Sequence, residues 1–444
     1  MARLLKIAAA FTLIAIQVCP LFGAESEAGA ERGESQPALR WRSKVITVSL
    51  STSLLRPAAN VKGGSDLVEA VRRSLKTWEN ASGVSFRVVF SDRQDVSPQG
   101  ALGDGVNLIT VAPTAENALL FAKSAETVAA TTRVFFDARG RISEADIVLN
   151  PYQQFSTDGT FGTFDLESAF THELGHVLGL EHSPVRGSTM YETFGKNGLF
   201  GLQDLSHRTL AEIDRAAVRA KYGAPADEDC CGTISAKLLM AGGRPAADIE
   251  VWLEDRESGK VVSESATGND GVAEFGGVPS GNYSVFARRG DGAKRSVPLQ
   301  ELDPVEISAG AATSFTKKLE LRPDDLDVKY TGFNGQLTLS SVPINAGKSY
   351  TIYLGGRNLK PNGAKISFSS PFLEVTPGSI ASHDYGEGLG VLSFEVQADS
   401  RTPVGEYTIF VESASGARSA IVGGISVRTF ANPFSNFIFD NKLQ

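Results

Sequence analysis

The chain has 444 residues, more than one ordinary hydrophobic core holds, so two to four domains are expected. Its 42% hydrophobic and 21% charged residues exclude wholesale disorder, a collagen-like fibre and a multi-span membrane protein. Lys and Arg number 43 against 51 Asp and Glu, a net charge of −8, which argues against a nucleic-acid backbone binder because that role needs a basic face.

The first predicted element is a targeting segment. Arg3 and Lys6 head an apolar run from Ile7 to Val18, which has the length of a signal-peptide core and is too short to span a bilayer. Residues 1–24 are therefore read as a signal peptide, with cleavage near Gly23 and Ala24, and 25–39 as a short solvated leader. The chain is expected to be secreted or otherwise extracytoplasmic. Lipid anchoring through Cys19 is disfavoured, since Val18 and Gln17 stand where small residues are wanted, and no other stretch reads as a transmembrane span.

Residues 40–223 mix two periods. Alternation at 46–50 and 84–90 reads as strands, and between them Leu67, Val71, Leu75 and Trp78 recur at helical spacing behind Ser65 as the expected cap. Strands are predicted at 128–136 and 145–149 around the turn 137–141, then a long helix over 164–180. A last amphipathic helix over 210–222 stops at Gly223. A polar linker follows over 224–231, and beyond it the helical period disappears. Short strands at 234–239, 249–253, 271–275 and 283–287 make one β-sandwich over 232–322, and alternation at 350–354, 391–396 and 407–411 makes another over 323–444. The expected architecture is thus a mixed α/β (α+β) unit followed by two all-β sandwiches, with the aromatic tail 430–439 read as a packed final strand ahead of the alternative, an exposed docking tail.

The chemistry-bearing segment runs from Thr171 to Ser183, Thr-His-Glu-Leu-Gly-His-Val-Leu-Gly-Leu-Glu-His-Ser. His172 and His176, four apart, stack on one helix face and can offer imidazole nitrogens to one metal ion. Glu173 is placed to reach a water on that metal rather than the metal itself. Gly179 tolerates backbone angles that other residues avoid, so the helix can break there and let His182 return as a third ligand. Three neutral histidines on Zn²⁺ leave a fourth position open, the signature of a catalytic site. The plain alternative is a set of solvated or core histidines. A bare His-Glu-x-x-His arises by accident in about one such chain in 300, but adding the glycine and third histidine lowers this to a few in a million. Only five histidines occur in the whole chain, so the cluster decides for the metal.

These residues resemble the metzincin metalloproteases and, among them, the matrixins. Ser183 directly after the third histidine, and Ser188-Thr189-Met190 beyond it, look like the matrixin motif and its Met-turn. Phe164 to Phe170, Ala145 to Asn150 and Leu210 to Gly223 resemble the segments around that motif in bacterial matrixin-like sequences. The resemblance covers about 40–223. It implies a zinc endopeptidase with Glu173 as general base, His172, His176 and His182 as ligands, and Met190 packed beneath them without touching the metal. It further implies that the edge strand Val128, Ala129, Ala130 and Thr131 pairs with an extended substrate, and that Tyr191, Glu192, Thr193 and Phe194 wall the specificity pocket. The departures matter as well. Residues 104–136 hold no histidine and few carboxylates, so no second, structural zinc is expected and Ca²⁺ finds little support. Tyr191 to Phe194 differs from the family's Tyr-Pro-x-Tyr, and no inhibitory cysteine precedes residue 40 in a matching motif. Further on, Thr267 to Val285 resembles prealbumin-like (carboxypeptidase regulatory-like) modules, and Gly355 to Leu359 the turn of immunoglobulin-like IPT/TIG modules.

The expected function is zinc-dependent hydrolysis of extracellular proteins or peptides, with a surface or carbohydrate ligand for the sandwiches. The alternative from another class is an exported adhesin or carbohydrate-binding protein with a vestigial protease domain, against which the intact Glu173 argues. A metal hydrolase of non-peptide substrates is disfavoured by the Met-turn. His207 reads as a surface or capping residue and His383 as an ordinary turn residue. Cys230 and Cys231 allow a bond between neighbours, a bridge to another chain or two free thiols.

Overall fold

The computed structural model describes residues 38–429 apart from 57, 99–102, 127, 203, 227–229, 290–296, 321–325 and 387, together with the backbone of two amino-terminal strand segments, 12–13 and 15–20. The remainder of the signal-peptide and leader segment and the aromatic tail 430–439 lie outside the described residues.

The first unit is built on a mixed sheet. Strand β1 (Val45–Ser51) pairs in parallel with β2 (Ser85–Ser91) and with β3 (Leu108–Thr110); β3 in turn pairs in parallel with β5 (Ile142–Leu149), and β4 (Ala130–Phe136) closes antiparallel on β5. The far side of β4 carries the amino-terminal segment Ala15–Pro20 as a parallel neighbour. Helix α1 (Leu67–Glu79) links β1 to β2, and its Leu67, Val71, Leu75 and Trp78 are buried, as the spacing predicts. Its cap is Asp66 rather than Ser65. Asp66 Oδ1 accepts the Glu69 amide, while the Ser65 hydroxyl is turned away to accept the Thr157 amide. A short helix α2 (Ala115–Leu119) precedes β4.

The long predicted helix is shorter at both ends. Helix α3 spans Leu166–Val177, because Phe164–Asp165 pairs with Phe155–Ser156 as a two-residue ladder and Asp165 then caps the helix through the Ser168 amide. At the other end the Gly179 amide donates to His176 and the Leu180 amide to Gly175, the bond pair of a Schellman stop. Helix α4 (Glu212–Tyr222) starts two residues later than predicted, on Ala211, and ends on Gly223 at φ 85°.

Each β unit stacks two sheets on its own core. In the second unit, Gly232–Leu239 lies between Val272–Val278 and Ala312–Lys318, facing a sheet ordered Val261–Ala266, Ile249–Asp255, Gly281–Arg289. In the third, a sheet around Ser349–Arg357 and Gly390–Ala398 faces one around Gly405–Glu412 and Arg418–Val427. A smaller apolar cluster joins all three units: Val185, Ala211 and Ile213 from the first, Trp252, Val261, Phe286 and Leu299 from the second, Ala420 and Val422 from the third. Cys230 and Cys231 are bonded to each other. His383 sits in the strand Ala381–Asp384 rather than a turn, its Nε2 2.7 Å from the Ser393 hydroxyl.

Candidate metal centre

His172 and His176 lie on α3, and the Schellman stop returns the chain so that His182 reaches the same point. One ligand nitrogen from each lies within 4.8 Å of the others. Gly179 is needed for two reasons. Its φ is 77°, and a β-carbon there would lie 2.5 Å from the Leu39 carbonyl oxygen. The helix carbonyls left open at this turn are taken from outside: the Trp41 indole donates to Val177 (2.7 Å) and the Tyr222 hydroxyl to Leu178 (2.9 Å).

The ring orientations carry the chemistry. His172 Nδ1 lies 2.7 Å from the Thr189 carbonyl oxygen, and His176 Nδ1 lies 2.8 Å from that of Leu180. A carbonyl only accepts, so each Nδ1 must hold a proton and each neutral ring presents a bare lone pair at Nε2. Those two Nε2 atoms are 3.0 Å apart. The third ring adds a buried His182 Nε2 with no hydrogen-bond partner. Burial holds His172 well below its ordinary pKa, takes His176 down to about 3 and takes His182 down to about 4; neighbouring rings add to the first two. Three neutral rings converge with at least two lone pairs facing one another, an arrangement that a cation between them relieves. The donor set therefore fits a borderline-soft divalent ion such as Zn²⁺.

Glu173 is fully buried beside this cluster. The Thr132 hydroxyl, on β4, donates to its Oε2 (2.5 Å), while Oε1 has no partner among the described residues. Burial pushes its carboxyl up to about 8, with the Thr132 bond pulling the other way.

Met190 lies under the histidine-bearing helix. A β-carbon on Gly175 would meet its sulfur at 2.2 Å and the Trp78 ring at 2.9 Å, so glycine is what lets both pack against α3. The turn that carries Met190 is clamped by Asp214 in the first turn of α4. The Ser188 hydroxyl donates to its Oδ1 (2.5 Å), and the Thr189 amide to its Oδ2 (2.8 Å). Thr132, Thr189 and Asp214 were not legible as site residues. Ser188 and Thr189 were read only as part of the Met-turn, and their carboxylate partner comes from the fold.

The expected substrate edge divides. Ala130 and Thr131 begin β4, whereas Val128 and Ala129 precede the strand; all four are buried. Thr193–Phe194 pairs antiparallel with Thr12–Leu13, and β4 pairs in parallel with Ala15–Pro20, so both expected substrate walls carry an amino-terminal strand segment. Tyr191 is partly buried, its hydroxyl donating to the Leu339 carbonyl (3.2 Å). His207 is neither at the surface nor a ligand. It is 6% exposed, in a 3₁₀ turn beside Asp204, with burial lowering its pKa.

Comparison with known proteins agrees with this geometry. Matrix metalloproteinase-2 of Drosophila melanogaster is 26% identical over 189 residues, covering 41% of this chain and 21% of that protein. The hatching enzyme of Paracentrotus lividus is 27% identical over 170 residues, covering 36% and 23%. The matched stretch is thus less than a quarter of either relative. Among solved structures, the Bacillus cereus major pilin subunit BcpA aligns at 15% identity over 43% of this chain and 66% of that one, but its TM-score of 0.16 is too low to inform the fold. Residues 40–223 match the matrixin family model, and at the level of that family the match supports a metalloendopeptidase.

Proposed function

We propose that the chain is an exported zinc-dependent endopeptidase in which His172, His176 and His182 hold one Zn²⁺ and Glu173 is the general base. The observation that carries this reading is the convergence of one ligand nitrogen from each of His172, His176 and His182 within 4.8 Å, with two of the rings fixed by a carbonyl behind them. When bound, Zn²⁺ supplies Lewis acidity, lowering the pKa of a water molecule from near 16 to about 7 and drawing charge from a carbonyl oxygen.

The chain's own residues do the rest. Thr132 holds Oε2 of Glu173, so the partnerless Oε1 is the atom that accepts a proton as the water oxygen bonds to the scissile carbonyl carbon. It returns that proton to the amide nitrogen as the C–N bond breaks. A positive charge on the histidines favours the carboxylate form of Glu173, offsetting the burial that raises it. Substrate adds as an extended strand along β4, the edge where Ala15–Pro20 lies, and removal of that segment on export leaves the edge open.

Purified mature protein, without residues 1–24, is expected to carry one zinc and to cleave casein or gelatin, with EDTA stopping the reaction. Glu173→Ala should lower the rate by at least 10² to 10⁴-fold while zinc content and far-UV circular dichroism stay unchanged. A zinc-loaded chain that leaves both proteins intact, or a Glu173→Ala form that cuts equally well, ends this reading.

A further inference from the structure

The third unit grips the segment between His182 and α4 on both sides of the metal-proximal turn. On the entry side, the Arg186 amide donates to the Val422 carbonyl (3.2 Å), and Nη2 of Arg428 donates to the Gly187 carbonyl (3.3 Å). The approach is close enough to need glycine twice. A β-carbon on Gly187 would lie 2.3 Å from Glu406 Cγ, and one on Gly423, at φ 67°, would lie 2.6 Å from Val185 Cγ1. On the exit side, Tyr191 reaches the Leu339 carbonyl, and Phe200 is driven into the third unit's core at 2% exposure.

Phe200 is the informative residue. Its backbone is left-handed, φ 58° and ψ 12°, a conformation rare for a bulky side chain. Such a residue persists where its surroundings over-determine it. Here the Phe200 amide donates to Gln336 Oε1 (2.9 Å), the Asn334 side-chain amide donates to its carbonyl (2.9 Å), and its ring stands edge-on to Phe333 at 6.2 Å. Between the Val185–Gly187 grip and the Phe200 grip lie Thr189, whose carbonyl orients His172, and Tyr191 to Phe194, the expected pocket wall. Ordinary packing of neighbouring units would bury side chains without bending one segment of the first unit into a strained plug.

We propose that the third β unit is a working part of the catalytic site: through Phe200 and the contacts at Val185–Gly187 it positions the turn and the wall that read the substrate residue beyond the scissile bond. Phe200, Asn334 and Gln336 are positioning residues. The inference rests on the endopeptidase reading for its consequence in cleavage, but the positioning itself is a separate observable.

The test uses the zinc-loaded mature chain, without residues 1–24, with Phe200→Ala, with the double variant Asn334→Ala/Gln336→Ala, and with Phe200→Tyr as the conservative control. Hydrogen exchange should show faster amide exchange over residues 185–202 in the first two, with zinc content and the melting transition of the remainder kept. Peptide-library cleavage should show a broadened preference after the scissile bond, with kcat/KM for the preferred peptide down on the order of tenfold to a hundredfold, mostly in KM. Phe200→Tyr should restore both. Unchanged exchange over 185–202 overturns the proposal, and so does a uniform loss of rate with an unchanged cleavage profile, which is what a purely structural role gives. If the unaltered chain cleaves nothing, the endopeptidase reading falls by itself, and the exchange data still decide whether the third unit holds the turn.

Discussion

The two β units meet the first unit in different ways. The second lies on α4 through small residues: a β-carbon on Gly276 would come 2.9 Å from Ala220 Cβ, and one on Gly277, at φ 64°, would come 2.3 Å from the Ala216 carbonyl oxygen. That contact is backbone-close and packs on a helix, and the second unit reaches the chain beside His182 where the Ser183 hydroxyl bonds the Glu264 carboxyl. The third unit meets the loop on both flanks of its turn, with a main-chain hydrogen bond and a left-handed phenylalanine, and a buried ion pair within the third unit backs the contact. A helix brings its own hydrogen bonds and needs only a surface to pack on. A loop must have its polar backbone satisfied from outside, so whatever supplies those partners also sets its shape.

The largest effect expected from breaking this contrast is at Arg428. Its Nη2 lies 2.7 Å from Oε1 of Glu406, which is 1% exposed, and burial raises the Glu406 pKa while Arg428 pulls it back. Arg428→Met strands that carboxyl and should cost about 3–5 kcal/mol, read from denaturant unfolding. A loss below about 1 kcal/mol would mean the pair is dispensable to the grip.

Next is the junction between the two β units. Glu254 accepts from the Trp252 indole (2.8 Å) and the Thr408 hydroxyl (2.5 Å), and burial pushes its carboxyl from 4.5 up to about 7. Between these values the folded chain keeps a proton that the unfolded chain has released. Stability from this group is therefore full below pH 4.5 and falls as pH rises to about 7, by on the order of 3 kcal/mol. Glu254→Gln should flatten that slope between pH 5 and 7 in melting curves; parallel curves for the two proteins would show that Glu254 does not titrate as described.

The smallest expected effect is also the sharpest comparison. Gly277→Ala and Gly187→Ala each push one methyl into a close contact, at the second and third units respectively. Both should lose about 2 kcal/mol. Only Gly187→Ala should alter which peptide bonds are cut, because only its contact borders the turn that orients His172. Equal cleavage profiles would erase the distinction between the two interfaces.

Much of this site was legible because it is local. The four-residue step from His172 to His176, the acid beside it and the glycine that ends the helix are consequences of 3.6 residues per turn and of one positive φ. The same locality made the helix α1 readable from Leu67, Val71, Leu75 and Trp78, whereas its cap was misplaced by one residue because Ser65 and Asp66 are both good caps and only the fold says which is turned inward. His207 failed for a similar reason. Nothing near it in sequence indicates burial, which comes from the packing around the 3₁₀ turn before α4.

By itself, then, the sequence determined the histidine trio that could hold a metal ion, the glutamate beside it, the stop at Gly179 and the change from mixed to all-β texture after residue 223, since each follows from spacing or residue type within a few turns of chain. Tertiary structure alone decided that Thr132 holds the base, that Asp214 clamps the turn and that the third unit grips both of its flanks. Those partners stand 41, 25 and well over a hundred residues away, and a hydrogen-bond donor carries no mark of which distant acceptor the fold will bring to it.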